Sequence, residues 1–308
     1  MTTEHRMSLL EMAADRLDQT VERGAQRVEE TSRRGRHSEM PRNEGVVGMN
    51  PDQQWVESPC DVTIDFAKLE ALGFLTPDTP RNRVSEEMRV IKRVLLDNAF
   101  GKNSGLVSRG NIIMVTSSVP GEGKSFTALN LAISIAMEMD KTVLLIDADV
   151  GRARIHELLN SPSEPGLTDL LVDRSVDFSD VILRTNIPKL RTIPVGRFHP
   201  HAHELLASNN MRALTRQLET RYPDRIVIFD TPPLLSTSDP VVLSGLAGQI
   251  VFVVAAGSTP RGVVRDALAM IDESKPVGLV LNKARKPEGS SYYGYGAYGA
   301  GYHQDTRN

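Results

Sequence analysis

From residue 111 onward the chain alternates short, unbroken apolar runs with longer segments of helical period. Runs such as Val143-Leu144-Leu145-Ile146 lack the in-and-out alternation of a half-exposed strand, so they predict strands covered on both faces. The pattern places strands at 111–116, 142–147, 189–195, 225–230, 249–255 and 277–282. Helices are expected near 123–139, 153–160, 202–221, 238–247 and 261–273. Regular alternation of this kind predicts an α/β fold, a mostly parallel sheet with helices on both faces. Ligands of such sheets bind at the carboxyl ends of the strands, so residues ending the apolar runs should share one rim.

Ahead of this core, structure is expected to resume at Val62-Thr63-Ile64-Asp65-Phe66 and run to a turn bracketed by Pro77 and Pro80. A helix over about 83–99 carries a core stripe of Val84, Met88, Ile91 and Leu95. Glu86, Arg89, Lys92 and Arg93 fall on its other side and read as a solvated face with i,i+3 pairs. At the N-terminus, Ser8 and Glu11 form a capping box that opens an amphipathic helix over 8–22. Two heptads are too few for a coiled coil, so that helix either packs on its own domain or docks on a partner. Residues 23–59 are polar and aperiodic and cannot bury enough apolar surface to offset chain entropy; they predict a disordered linker. Five of the six tyrosines, Tyr292, Tyr293, Tyr295, Tyr298 and Tyr302, are spaced by glycine in a stretch without apolar period, a flexible tail. The expected organisation is thus 1–60 extension, 61–285 nucleotide-binding domain and 286–308 tail.

Composition narrows this little further. A net charge of −3 gives no electrostatic case for nucleic acid or an anionic membrane. The N-terminal charges argue against a signal peptide. The weakly polar run from Val241 to Gly257 is too interrupted to span a bilayer. The single cysteine, Cys60, precludes an intrachain disulfide and fits a reducing compartment, so a cytoplasmic location is expected.

The chemistry concentrates in Thr116–Ala132, a strand, a Gly-rich turn with Gly-Lys-Ser, and a helix, the context of a phosphate-binding loop. Pro120, Gly121, Glu122, Gly123, Lys124, Ser125 and Phe126 would line the phosphates of a nucleoside triphosphate. Backbone N–H groups at a helix N-terminus favour anions, Lys124 would reach the β/γ-phosphates, and the Ser125 hydroxyl would ligate Mg²⁺. Ser118 stands where the usual spacing has its first glycine. Asp147 and Asp149 leave one apolar strand and Asp230 closes another; carboxylates there suit Mg²⁺ or a base near the γ-phosphate. Asn282, ending the last strand, suits either an adenine contact or a turn. His199, His201 and His203 alternate before a helix, which reads as a loop over the nucleotide or an interface rather than a metal site.

These segments resemble the three nucleotide motifs of bacterial tyrosine kinases, P-loop autokinases of capsule and exopolysaccharide loci, and are most similar to those of exosortase-linked loci. The likeness runs over about residues 80–302 and includes Glu204-Leu205-Leu206-Ala207-Ser208 and Gly278–Lys283. It implies ATP and Mg²⁺ as cofactors and the tail tyrosines as phosphoacceptors, entered from a neighbouring subunit. It gives the role of base to the Asp147/Asp149 pair, Asp147 first. It also implies a ring-like homo-oligomer through Glu86, Arg89 and Lys92, where the family has Arg in the last place and Lys lacks the bidentate fork. Gly151, followed by Arg152, occupies a position that often carries Arg. Expected partners are a separate membrane-spanning chain-length regulator as activator, which would bring the protein to the inner membrane, and a phosphotyrosine phosphatase. The alternatives are a partitioning-type ATPase switch or a non-catalytic nucleotide-binding regulator. The ATPase switches typically carry a second lysine five residues before the motif lysine, where this chain has Val119.

Overall fold

A computed structural model of the chain describes residues 61–222 and 224–284. The predicted N-terminal helix and linker, and the tyrosine cluster, lie outside the described residues.

Two helices precede the sheet. α1 (Phe66–Ala71) starts at Asp65, whose carboxylate accepts from the Lys68 N–H at 3.0 Å. α2 (Arg83–Phe100) is opened by a reciprocal cap in which Asn82 and Ser85 each bond the other's backbone N–H. The sheet has seven strands: β1 (Ile112–Ser117), β2 (Thr142–Asp147), β3 (Leu183–Arg184), β4 (Leu190–Ile193), β5 (Arg225–Asp230), β6 (Gln249–Ala255) and β7 (Val277–Asn282). Their order is β3-β4-β2-β5-β1-β6-β7, with every pairing parallel except β3 with β4.

Alternate residues of the central strands enter two different cores. Ile112, Met114, Leu144, Ile146, Val227 and Phe229 pack on one face. Ile113, Val115, Val143, Leu145, Ile226 and Ile228 pack on the other. An unbroken apolar run is therefore required, since neither side of these strands meets water. α3 (Lys124–Ala136) covers the second face, and all ten residues from Thr127 to Ala136 are buried. Edge strand β7 is only partly covered, leaving Leu281 65% exposed.

The remaining helices are α4 (Ile155–Leu159), α5 (Leu167–Val172), α6 (Phe178–Val181), α7 (Ala202–Leu206), α8 (Asn209–Arg221), α9 (Asp239–Leu246) and α10 (Arg261–Leu268). The helix expected over 202–221 is broken in two. Ser208 adopts extended backbone and its hydroxyl accepts from the Met211 N–H at 3.2 Å, so it starts a new helix instead of continuing the old one. β3, α5 and α6 carry no periodic signal because each is too short to show one.

Candidate active site

The turn from β1 into α3 is held in a conformation that needs glycine. Gly121 and Gly123 have φ of 86° and 101°, in the left-handed region. A Cβ on Gly123 would lie 2.0 Å from the Asn282 amide nitrogen. Gly123 caps α3 without a side chain, so the first N–H groups of a 13-residue, largely buried helix stay open to an anion. Asn282 donates to the Glu122 carbonyl at 2.8 Å and Lys283 to the Gly121 carbonyl at 2.5 Å. The Asn282 amide thus braces the loop.

Glu122 differs from the other loop residues. Its side chain is 2% exposed and points away from the cavity. Its carboxylate accepts from the Val119 N–H at 2.8 Å, the Ala255 N–H at 3.2 Å and the Thr259 hydroxyl at 2.5 Å. Only its backbone remains for a phosphate. Ser118, at the position of the missing glycine, is fully buried, and its hydroxyl has no partner among the described residues.

The strand-end aspartates converge. β2 and β5 pair so that Asp147 lies directly beside Asp230. Thr116 donates to the Pro232 carbonyl at 2.8 Å and Thr231 to the Val115 carbonyl at 3.0 Å, fastening the end of β5 to β1 and its loop. Lys124 forms a 2.6 Å ion pair with Asp149, both largely buried. Asp147 has no solvent exposure and accepts from the N–H groups of Asp149, Arg154 and Ile155 at 3.2, 3.0 and 3.0 Å. Burial first, and the charge of Asp230 second, raise its pKa well above the ordinary carboxylate value. Burial also raises Asp230, against Lys124 and Ser125, which favour the charged form. Ser125 is near, yet no hydrogen bond of ordinary geometry satisfies either Asp230 oxygen.

A buried carboxylate with two unsatisfied oxygens beside a loop serine fits a divalent cation. Among the described residues no group of three or more His, Cys, Asp or Glu could hold a metal. A hard cation that keeps waters and phosphate oxygens among its ligands needs no such preformed cluster.

The phosphate loop and Asp149 open onto a cavity of about 540 Å³, while Asp147 and Asp230 lie buried behind its wall. Pro120, Gly121, Gly123, Lys124, Ser125 and Asp149 line its polar floor. Leu72, Phe74, Phe126 and Leu158 form an apolar wall, with the Phe74 and Phe126 rings 4.9 Å apart. Arg152, Arg154, His203, Pro232, Pro233, Ser236, Thr237 and Lys283 complete it. Gly151 lies on the wall together with Arg152 and Arg154, so two arginines reach the site although the usual position lacks one. Sequence reasoning missed Arg154, Phe74 and Lys283. Phe74 comes from a loop ahead of the sheet, and only tertiary packing brings it there.

The chain is similar to known proteins along most of the described region. Residues 110–258 match the family model described as an AAA domain. Tyrosine-protein kinase YwqD of Bacillus subtilis is 35% identical over 187 residues, which are 60% of this chain and 77% of that protein. The chain belongs to the bacterial tyrosine-protein kinases. The kinase domain of the Escherichia coli tyrosine kinase ETK matches 77% of this chain and 94% of its own with a TM-score of 0.62 and 28% identity. Tyrosine-protein kinase wzc of Salmonella typhimurium is 30% identical over 65% of this chain, but that region is only 27% of its own length. The fold is that of a P-loop NTPase.

Away from the cavity, Glu86 and Arg89 form the expected i,i+3 pair at 2.8 Å on an accessible part of α2. Lys92 does not join them. It is 7% exposed, donates to the Ser134 carbonyl at 2.9 Å and pairs with Glu138 at 2.5 Å. Its aliphatic stem lies within the α2–α3 packing and its ammonium meets the end of α3, so that charge is satisfied inside the subunit. His203 pairs through Nδ1 with Asp239, while the His201 N–H donates to His199 Nδ1 at 3.1 Å. No helix of the described residues is long and apolar enough to cross a membrane.

Proposed function

We propose that this kinase transfers the γ-phosphoryl group of Mg-ATP to tyrosines of its own tail, in trans, and thereby regulates capsule or exopolysaccharide synthesis and export. The observation that carries this is the convergence of Lys124, Ser125, Asp147, Asp149 and Asp230 on one rim. Lys283, next to the last described residue, also lies on the cavity wall.

Pro120 to Phe126 hold the triphosphate, mainly through backbone N–H groups. Lys124 exchanges Asp149 for the β/γ-phosphates and stabilises the transferred charge. Ser125, Asp230 and the Asp147/Asp149 pair would hold Mg²⁺, which supplies charge neutralisation at the phosphates. A phenol has a pKa near 10 and needs a base at neutral pH. Asp147, whose proton affinity is raised by burial and by Asp230, would accept that proton. The tyrosine oxygen attacks the γ-phosphorus, its proton passes to the carboxylate, and the bond to the bridging oxygen breaks to release ADP.

Lys283 to Ser291 can span roughly 30 Å when extended, so length alone permits either cis or trans transfer. Assembly through α2 brings neighbouring tails to the site, with Glu86 and Arg89 as its accessible charges. In Salmonella wzc the kinase-like region is a minor part of a longer chain. Here a separate membrane-spanning chain-length regulator would act as activator and bring the kinase from the cytoplasm to the inner membrane. A phosphotyrosine phosphatase would reset the tail, and charge repulsion between phosphorylated tails would loosen the ring.

Incubation with Mg-ATP and mapping of phosphotyrosine by mass spectrometry tests the reading, with Lys124→Met as control. Phosphate on Tyr292, Tyr293, Tyr295, Tyr298 or Tyr302 in the wild type alone is expected. ATP hydrolysis without phosphotyrosine, in the presence of the activator, would instead indicate a switch ATPase. A specific rate independent of concentration, under conditions where oligomers dissociate, would exclude trans transfer.

A further inference from the structure

The chemical end of the cavity holds one ionisable pair that the mechanism above does not use. α7 follows β4 and α9 follows β5, so both rise from the side of the sheet that ends in Asp147 and Asp230. Asn282 and Lys283 mark the opposite side, at the end of β7. His203 of α7 lines the cavity with Pro232, Pro233, Ser236 and Thr237, the segment that follows Asp230. The His203 side chain is 48% exposed, whereas its partner Asp239 is 3% exposed at the start of α9.

An ionised carboxylate can only accept hydrogen bonds, so the Asp239 contact places the proton of a neutral imidazole on Nδ1. That orients the ring and leaves Nε2 with its lone pair, turned away from Asp239. A half-exposed histidine would otherwise lose rotamer freedom on meeting a ligand. Here a buried anchor has already fixed it, which lowers the cost of the next hydrogen bond. The neighbouring charges are Glu204 and His201 on the same segment and Asp149, Arg152 and Arg154 across the cavity.

We propose that His203, held by Asp239, positions the acceptor: its Nε2 accepts a hydrogen bond from the hydroxyl of the incoming tyrosine before transfer. The chemistry recognised is a phenol, at the side of the cavity where the γ-phosphate meets the aspartates. His203 is an acceptor-binding residue and Asp239 a positioning residue that acts through it. At transfer the hydroxyl rotates its single proton from Nε2 towards the aspartate pair, which takes it. This rests on the tyrosine-kinase reading above.

The test uses the full chain, Mg-ATP and a synthetic peptide copying residues 290–303. The KM for peptide and the KM for ATP are measured separately for wild type, His203→Ala, His203→Gln and Asp239→Asn. His203→Ala should raise the peptide KM about ten-fold, the loss of one hydrogen bond worth roughly 1.4 kcal/mol, and shift the ATP KM less than two-fold. His203→Gln, whose amide oxygen can take the place of Nε2, should recover most of the loss, and Asp239→Asn should lie between. A peptide KM for His203→Ala within two-fold of wild type overturns the proposal. Equal shifts in both KM values also overturn it, since they would report a general disturbance of the cavity. If the wild type binds ATP but phosphorylates neither peptide nor tail, the kinase reading fails and this inference with it.

Discussion

Glu122 and Asp230 are two carboxylates buried at the same rim, 2% and 0% exposed, with opposite surroundings. Glu122 is met by two backbone N–H groups and a hydroxyl, and so works as a brace that joins the phosphate loop to the end of β6. Asp230 is enclosed with neither oxygen satisfied. A buried charge costs several kcal/mol unless compensated. The satisfied carboxylate therefore reports architecture, and the unsatisfied one a site prepared for an ion. The same contrast divides the rim: the end of β5 keeps an unsatisfied carboxylate for chemistry, and the β6/β7 side uses its polar groups to set the loop.

Neutralising each residue should sharpen this contrast. Asp230→Asn should lower tail phosphorylation by about 10²–10³-fold, the scale for losing one preorganised electrostatic contact in a transition state. Phosphotyrosine yield per minute reads this directly. The same variant should stabilise the protein. Burial raises the folded-state pKa of Asp230 to about 6 and, together with Asp230, that of Asp147 to about 8, both above the unfolded value. The folded state then binds protons more tightly, so the penalty is absent below about pH 4 and grows as pH rises through the folded values. Melting curves at pH 5 and pH 8, without Mg²⁺, should show wild type losing stability over that interval and Asp230→Asn losing less. An equal loss in both would break the comparison.

Glu122→Ala should do the reverse. It leaves the Val119 and Ala255 N–H groups and the Thr259 hydroxyl without their acceptor, at a cost of about 2–4 kcal/mol in denaturant melts. Activity should fall through a raised ATP KM more than through kcat. Asn282→Ala, which removes one neutral brace from the same side, should cost about 1 kcal/mol. The smallest effect is expected from Glu86→Ala, which breaks an exposed pair worth under about 0.5 kcal/mol within the subunit. A marked change in sedimentation from so small a loss in stability would support the role of α2 in assembly.

The sheet was legible because its strands are buried on both faces and their apolar runs cannot be read otherwise. The acidic strand ends and the phosphate loop were legible because that chemistry needs those residue types in that order. The role of Glu122 was not, since one of its donors, Ala255, lies 133 positions along the chain and meets it only after β6 pairs with β1. Lys92 was placed with the polar residues of α2 because periodicity assigns a lysine to solvent. Its long stem instead reaches past the helix stripe to Ser134 and Glu138. His203 was noticed only as one of three alternating histidines. What distinguishes it is a buried acid 36 positions away.

Lys283 adopts φ of 58°, a conformation that a non-glycine residue takes at a cost of roughly 1 kcal/mol. Its ammonium meanwhile grips the Gly121 carbonyl. The chain therefore reaches residue 284 on a set bearing relative to the phosphate loop. Under the proposed exchange of tails between subunits, a tether launched in a fixed direction would sample a cone of space rather than a sphere, and the angle between neighbours would matter as well as their distance. Changing Lys283 to glycine would widen that cone without changing the tether's length.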